Sequence, residues 1–198
     1  AIMNCPDMLE KLIGILIRFR QRPVAVSADI DAFFLQVRMS PMDRDMHRYV
    51  WFDQDDPSGA VLHFRMISHL FGELSSQTVS IHARDESLNE AVSLNMITAE
   101  EAAANKRSFY SDDLLRSFDN SEQAVNQIQR VSQALRCGGF QLSKFKSNAD
   151  LKGVTPSLPP RSELVELLPA EPNHQRSETP GSNGVAALGI TWDTRADT

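Results

Sequence analysis

Apolar positions along the chain follow two periods, one of a helix and one of a strand. Leu9, Leu12, Ile13, Leu16 and Ile17 recur at three- and four-residue spacing, the stripe of a helix predicted over residues 6–20. Pro6-Asp7 opens it, Asp7 and Glu10 have capping-box spacing, and Pro23 ends it. Arg18, Arg20 and Arg22 gather near its carboxyl end, where cations suit the helix dipole and a solvated helix end is the simpler account. Residues 24–28 then read as a strand. Residues 48–52 and 61–66 make a second pair of strands around an acidic, Pro- and Gly-containing loop, which predicts a hairpin. A helix is expected to begin near Ser75 and run to about Leu88. Thr98 and Glu101 form a further capping box, opening a short helix through about Lys106.

Beyond it, apolar residues flank Ser111-Asp112-Asp113 as two strand arms, which places the acidic pair at a hairpin tip. Asn120 with Gln123 starts a helix whose apolar positions are Ala124, Val125, Ile128, Val131 and Leu135. Gly138-Gly139 stops it, and residues 140–145 are the next strand. Strand, helix, paired strands, helix, strand is the succession of a split βαβ. The expected fold class is therefore α+β, a ferredoxin-like antiparallel sheet with helices on one face.

From residue 149 to 184 prolines crowd a polar stretch, read as an irregular connector with one helical turn around Glu163 to Leu168. Val185 to Asp193 recovers strand character and is expected to return as a hairpin arm. The predicted organisation is thus an amino-terminal helix (1–22), a main domain with an inserted hairpin (23–148), the connector (149–184) and the carboxyl-terminal arm (185–198).

With 198 residues the chain has room for one domain with a real core, or one and a half small ones. It opens on Ala rather than Met and almost directly with a helix signal, so a piece of a longer polyprotein is expected. No stretch approaches the roughly 20 apolar residues of a membrane span, and no secretory signal is visible, so an intracellular location is expected. Cys5 and Cys137 make neither a disulfide framework nor a metal-ligand spacing, and the 5 histidines do not supply one. A net charge of −6 argues against a free-standing nucleic-acid binder, although an acidic site can face metal ions while other parts of a larger enzyme hold phosphates.

The acidic pair gains meaning from Asp29, near the end of the strand that begins at Val24. By themselves Ser and Asp are common turn residues, and Asp112-Asp113 alone reads as an ordinary polar turn. Three carboxylates from two neighbouring strands, however, can hold two hard divalent cations, which is the arrangement of a polymerase palm. Phe34, five residues past Asp29, is either a core residue or an aromatic plate under an incoming sugar. Gly72 lets backbone approach a ligand closely, and Ser75 and Ser76 offer hydroxyls at a helix start.

In order along the chain, the segments PDML, LIGILIRFRQRPVAVSADI, SHLFGELSSQ, FYSDDLL, GGFQLSKFKSN and LGITWD resemble the reverse transcriptase of BEL/Pao-type long-terminal-repeat retrotransposons. The resemblance covers nearly the whole chain. It implies that Asp29, Asp112 and Asp113 are catalytic metal-binding carboxylates, with the Ile30 carbonyl beside them, for two Mg²⁺ ions or Mn²⁺. Phe34 matches the gate that excludes a ribose 2′-hydroxyl. Gly72, Ser75 and Ser76 match the part that contacts the templating pair and nucleotide, Lys144 a cation near the leaving pyrophosphate, and Leu188-Gly189 a primer grip. The implied activity is RNA-directed DNA polymerisation, with an RNA or DNA template and primer, dNTPs, and the rest of the Pol polyprotein (RNase H, integrase, protease) as partners, in the cytoplasm or a virus-like particle. Only part of the fingers is covered, and the thumb is not.

The chain departs from the family pattern at Cys5, Ala32, Gln77, Ser111 and Phe145, none of which removes a carboxylate. Two other functions stand beside polymerisation. One is a catalytically silent, degenerate polymerase-like domain serving as an interaction or polyprotein module. The other is a cyclase or related nucleotidyl enzyme, which would share the carboxylates but has no reason to carry the matches at Gly72 to Gln77 and Leu188-Gly189.

Overall fold

The computed structural model describes residues 5–149, 151, 184–187 and 190–193. Strand β1 (Val24–Ile30) is the centre of a four-stranded antiparallel sheet. Strands β2 (Arg48–Phe52) and β3 (Val61–Arg65) form a separate hairpin. Next come β4 (Phe109–Tyr110), β5 (Asp113–Phe118) and β6 (Leu142–Ser147), and the main sheet has the order β4-β5-β1-β6. The unbroken apolar run Val24-Ala25-Val26 has a simple cause: β1 is covered on both faces, so it needs no polar side.

Helices α1 (Leu12–Phe19), α2 (Ser76–Ser93), α3 (Ala99–Lys106) and α4 (Ser121–Cys137) supply those covers, and the fold is α+β. Val24, Val26, Ala28 and Ile30 point into the main core with Leu114 and Phe118, Ile81 and Leu88 of α2, Ala102 of α3, and Ile128, Val131 and Leu135 of α4. Each fully buried Val, Leu or Ile side chain among them contributes about 1.5–3 kcal/mol relative to exposure. Ala25 and Leu115 project the other way, onto Ile15 and Phe19 of α1. The expectation of helices on one face therefore holds for α2, α3 and α4 but not for α1, because both faces of β1 are apolar.

Local sequence accounts for several boundaries. Thr98 and Glu101 close a reciprocal capping box at α3, and the Asn120 side chain accepts from the Gln123 amide at the start of α4. Gly139, at φ 83°, ends α4 in a conformation that glycine takes without strain. Gly138 is needed for a different reason: a Cβ there would lie 1.7 Å from Ser87 Oγ, where α2 passes the end of α4.

Other boundaries move. Helix α1 begins at Leu12, not residue 6, because Asp7 accepts from the Leu9 amide in a local turn and Glu10 reaches Arg18 at 3.8 Å; neither caps the helix. Its buried side is Ile15 and Phe19, with Ile13 and Ile17 of the predicted stripe exposed. Helix α2 runs five residues past Leu88, to Ser93, and β6 starts two residues later than predicted. The β2–β3 hairpin forms as expected, with Tyr49 stacked on its cross-strand partner Phe64. The carboxyl-terminal segment has the expected strand character, but β7 (Gly184–Ala187) and β8 (Ile190–Asp193) pair with each other in a two-stranded sheet of their own. Residues 152–183 of the predicted connector, with the helical turn predicted at Glu163 to Leu168, lie outside the described residues. Among the described residues no helix is long and apolar enough to cross a membrane.

Candidate functional site

The register of β1 against β5 makes Asp29 and Asp113 cross-strand partners. Side chains at directly opposed positions lie on one face of a sheet, so these two carboxylates share a face at the same end of the sheet. Asp112 precedes Asp113 in the two-residue turn Ser111-Asp112 that joins β4 to β5. Ser111 has φ 55°, the positive value that a two-residue hairpin turn needs at its first position. The turn is tied to β1, since the Ile30 amide donates to the Asp112 carbonyl at 3.0 Å. Ile30 itself is buried.

The mutual influence of these carboxylates has an electrostatic cost. Burial, followed by the charges of Asp112 and Asp29, raises Asp113 to about 6. Asp112 is raised as well, mainly by burial and then by Asp29. The opposing cation is Lys144, whose Nζ donates to Asp29 Oδ2 at 2.6 Å and whose own pKa is raised by that bond. A bulge delivers it. Ser27 pairs with Lys146 but Asp29 with Ser143, so β6 carries one extra residue there, and Lys144 has φ 52°. Such a bulge turns a side chain away from the regular alternation, here toward Asp29.

The second group of predicted residues is further along the chain. Phe34 sits in a short 3₁₀ turn, Phe33–Gln36, half-buried against the core, with its ring 5.4 Å from Phe33 and 5.8 Å from the exposed Phe71. Gly72 has φ 86° and open space where a Cβ would be, so its backbone angle, not a close neighbour, is what calls for glycine. The hydroxyls of Ser75 and Ser76 donate to Glu73 Oε1 and Oε2 at 3.0 and 2.9 Å. Leu188 and Gly189 lie outside the described residues, between β7 and β8.

Several participants were not foreseen. Glu73 is a hub, meeting His47 Nε2 at 3.3 Å and His69 Nδ1 at 3.4 Å besides the two serines. Burial pushes its carboxyl upward, but the hydroxyl hydrogen bonds and the two histidines outweigh it and hold the group below its ordinary value. Glu73, His47, His69 and Ser75 border a cleft of about 480 Å³ that also includes Arg38 and Asp43. Asp31 accepts from Ser143 Oγ beside the carboxylates, and Lys146 lies close enough to lower Asp113. Arg84 reaches the acidic turn from α2. Its signal in the sequence was a charged residue at helical spacing between Ile81 and Leu88, a position that periodicity assigns to the core.

The donor set suits a hard divalent cation, being all carboxylate with surplus negative charge. Its side chains do not close into a ligand cage: among the described residues no three His, Cys, Asp or Glu side chains are grouped to hold a metal ion. Asp29 meets the Lys144 ammonium. No family model matches the chain, and no curated protein matches it.

Proposed function

We propose that the chain is the palm region of an RNA-directed DNA polymerase, with part of the fingers. The observation that carries this reading is the cross-strand pairing of Asp29 with Asp113, beside Asp112 in the turn. The strand order β4-β5-β1-β6, with helices in both crossovers, is a ferredoxin-like arrangement and agrees with it. The β2–β3 hairpin, inserted between β1 and α2, stands where the partial fingers are expected.

In this reading Asp29, Asp112 and Asp113 hold Mg²⁺ or Mn²⁺, with the Ile30 carbonyl beside them. When bound, a pair of such ions supplies Lewis-acid activation of a primer 3′-hydroxyl and neutralisation of the leaving pyrophosphate. Lys144 leaves Asp29 to place its ammonium, and a proton, at the departing pyrophosphate oxygen. Phe34, its ring braced by Phe33, excludes a 2′-hydroxyl from the sugar position. Gly72 and the Ser75-Ser76 turn face the nucleotide and its templating base. The template-primer and the remaining Pol polyprotein segments are the partners this reading requires.

A catalytically silent polymerase-like module is the second reading, and the observation favouring it is the ammonium of Lys144 on the first carboxylate. Primer extension separates the two. The chain should extend a primed RNA template weakly, in Mg²⁺ or Mn²⁺ and at low salt, and Asp113→Asn should abolish it. Duplex binding rests mainly on Lys and Arg phosphate contacts, so this chain, with a net charge of −6, should hold primer-template weakly. Extension that survives Asp113→Asn, or none from a longer chain that binds duplex tightly, sinks the polymerase reading.

A further inference from the structure

Arg84 is the most completely buried charged side chain described, only 3 % exposed, and it projects from the core face of α2 between Ile81 and Leu88. A buried guanidinium is costly unless each part of it is partnered. Here Nε and Nη2 both donate to Asp85 Oδ1, at 3.0 and 2.7 Å, which balances the charge. Nη1 has a different target, the Ser111 carbonyl at 2.7 Å, 27 residues away. The central carbon of the guanidinium lies over the Phe109 ring, 4.6 Å from its centroid. Arg84 thus grips the acidic hairpin at two points, the β4 aromatic and the first residue of the turn. Burial presses its pKa downward and Asp85 opposes that, so the ion pair keeps the fork charged.

The geometry points to Arg84 as the positioning residue of the acidic turn, fixing the Ser111-Asp112 backbone from the α2 side so that Asp112 and Asp113 are presented opposite Asp29. Two facts make this more than packing. Ser111 has φ 55°, a conformation that a residue with a Cβ keeps only when its surroundings hold it. Asp112 and Asp113 also repel each other and Asp29, which drives the turn outward unless something opposes the movement. Mutual repulsion cannot be relieved locally by Arg84, because its charge is spent on Asp85; its contribution is geometric. What the positioned carboxylates hold rests on the polymerase reading, whereas the positioning itself does not.

The test uses the whole chain and two readouts. The Ile30 amide, which donates to the Asp112 carbonyl, reports on the turn; the Val131 amide within α4 reports on global opening. Arg84→Met keeps the volume and removes the fork. It should speed Ile30 hydrogen exchange by about 10-fold, the worth of one charge-assisted hydrogen bond, and leave Val131 unchanged. Mn²⁺ binding, followed by its EPR signal, should weaken several-fold in the same variant. If Arg84→Met does not fold, Arg84→Lys decides: an ammonium cannot serve Asp85 and Ser111 in one plane, so Ile30 exchange must still rise. Exchange that rises equally at Ile30 and Val131 assigns Arg84 to packing alone and overturns the inference, as does unchanged Ile30 exchange in either folded variant. A native chain that binds no Mn²⁺ overturns the polymerase reading instead, and Ile30 exchange then judges Arg84 by itself.

Discussion

Asp29 of β1 and Asp113 of β5 are directly opposed across two antiparallel strands, two like charges at a pairing position where opposite charges or apolar side chains would stabilise the sheet. A fold selected for stability alone has no use for that pair. Its consequence can be read in how the protein responds to pH.

Asp113 has its folded pKa raised to about 6, against an ordinary carboxyl value near 3.8. The folded state therefore binds the proton more tightly than the unfolded one, and stability falls as pH rises from about 4 through about 6, then stays low. The group is half-buried, so after discounting for solvent screening the loss is about 1–2 kcal/mol. Asp113→Asn should accordingly stabilise the metal-free chain by that amount at pH 7.5, with the gain vanishing near pH 4. Urea denaturation at the two pH values measures it, and a variant less stable than the native chain at pH 7.5 contradicts the account.

Glu101 shows the opposite sign. Burial raises its carboxyl, but Arg130, the Thr98 amide and Gln127 outweigh that and bring it to about 2. Its stabilisation is present above the ordinary carboxyl range and is lost as pH falls from about 4.5 to about 2. Glu101→Gln should cost about 1–2 kcal/mol at pH 7, after discounting for exposure, and only a small fraction of that by pH 2. Thr98→Ala, which removes the other half of the capping box, should cost about 1 kcal/mol at both pH values.

Phe34 is only partly buried against the protein core, in ring contact with Phe33 and with the exposed Phe71. If its ring serves as a steric gate, Phe34→Val should raise incorporation of ribonucleotides relative to deoxyribonucleotides by about 10-fold or more while synthesis continues, since removing a clash is worth about 1–3 kcal/mol in such a pocket. Competitive incorporation on one primer-template measures the ratio. A variant that merely loses stability, with its sugar preference unchanged, assigns Phe34 to packing.

How legible these features were depended on the range of the interactions behind them. The start of α3 at Thr98 and Glu101, and of α4 at Asn120, could be read because each cap is closed within four residues. Asp7 and Glu10 carry the same signal and failed, because their side chains found other partners, the Leu9 amide and Arg18. The stripe assigned to α1 failed for a related reason: a helix with apolar residues most of the way round does not declare which face the sheet will take. The bulge at Lys144 leaves no local mark in the sequence, since it arises from pairing with β1, about 115 residues earlier. The same holds for Glu73, whose partners come from both its own turn and His47, and for Arg84, whose bond spans 27 residues. The positions of Asp29, Asp112 and Asp113 near strand ends were legible because apolar runs lie beside them, and a strand end is a local property.

Divalent-cation binding tests the central claim most directly, since polymerase chemistry at this site requires the three carboxylates to act together. Mn²⁺ titrated into the native chain at pH 7.5, with free ion read by EPR, should show saturable binding that is lost in Asp29→Asn/Asp113→Asn and strengthened several-fold in Lys144→Met, where the competing ammonium is gone. Binding that is absent from the native chain and from Lys144→Met, or that persists undiminished in the double carboxylate variant, would contradict the account.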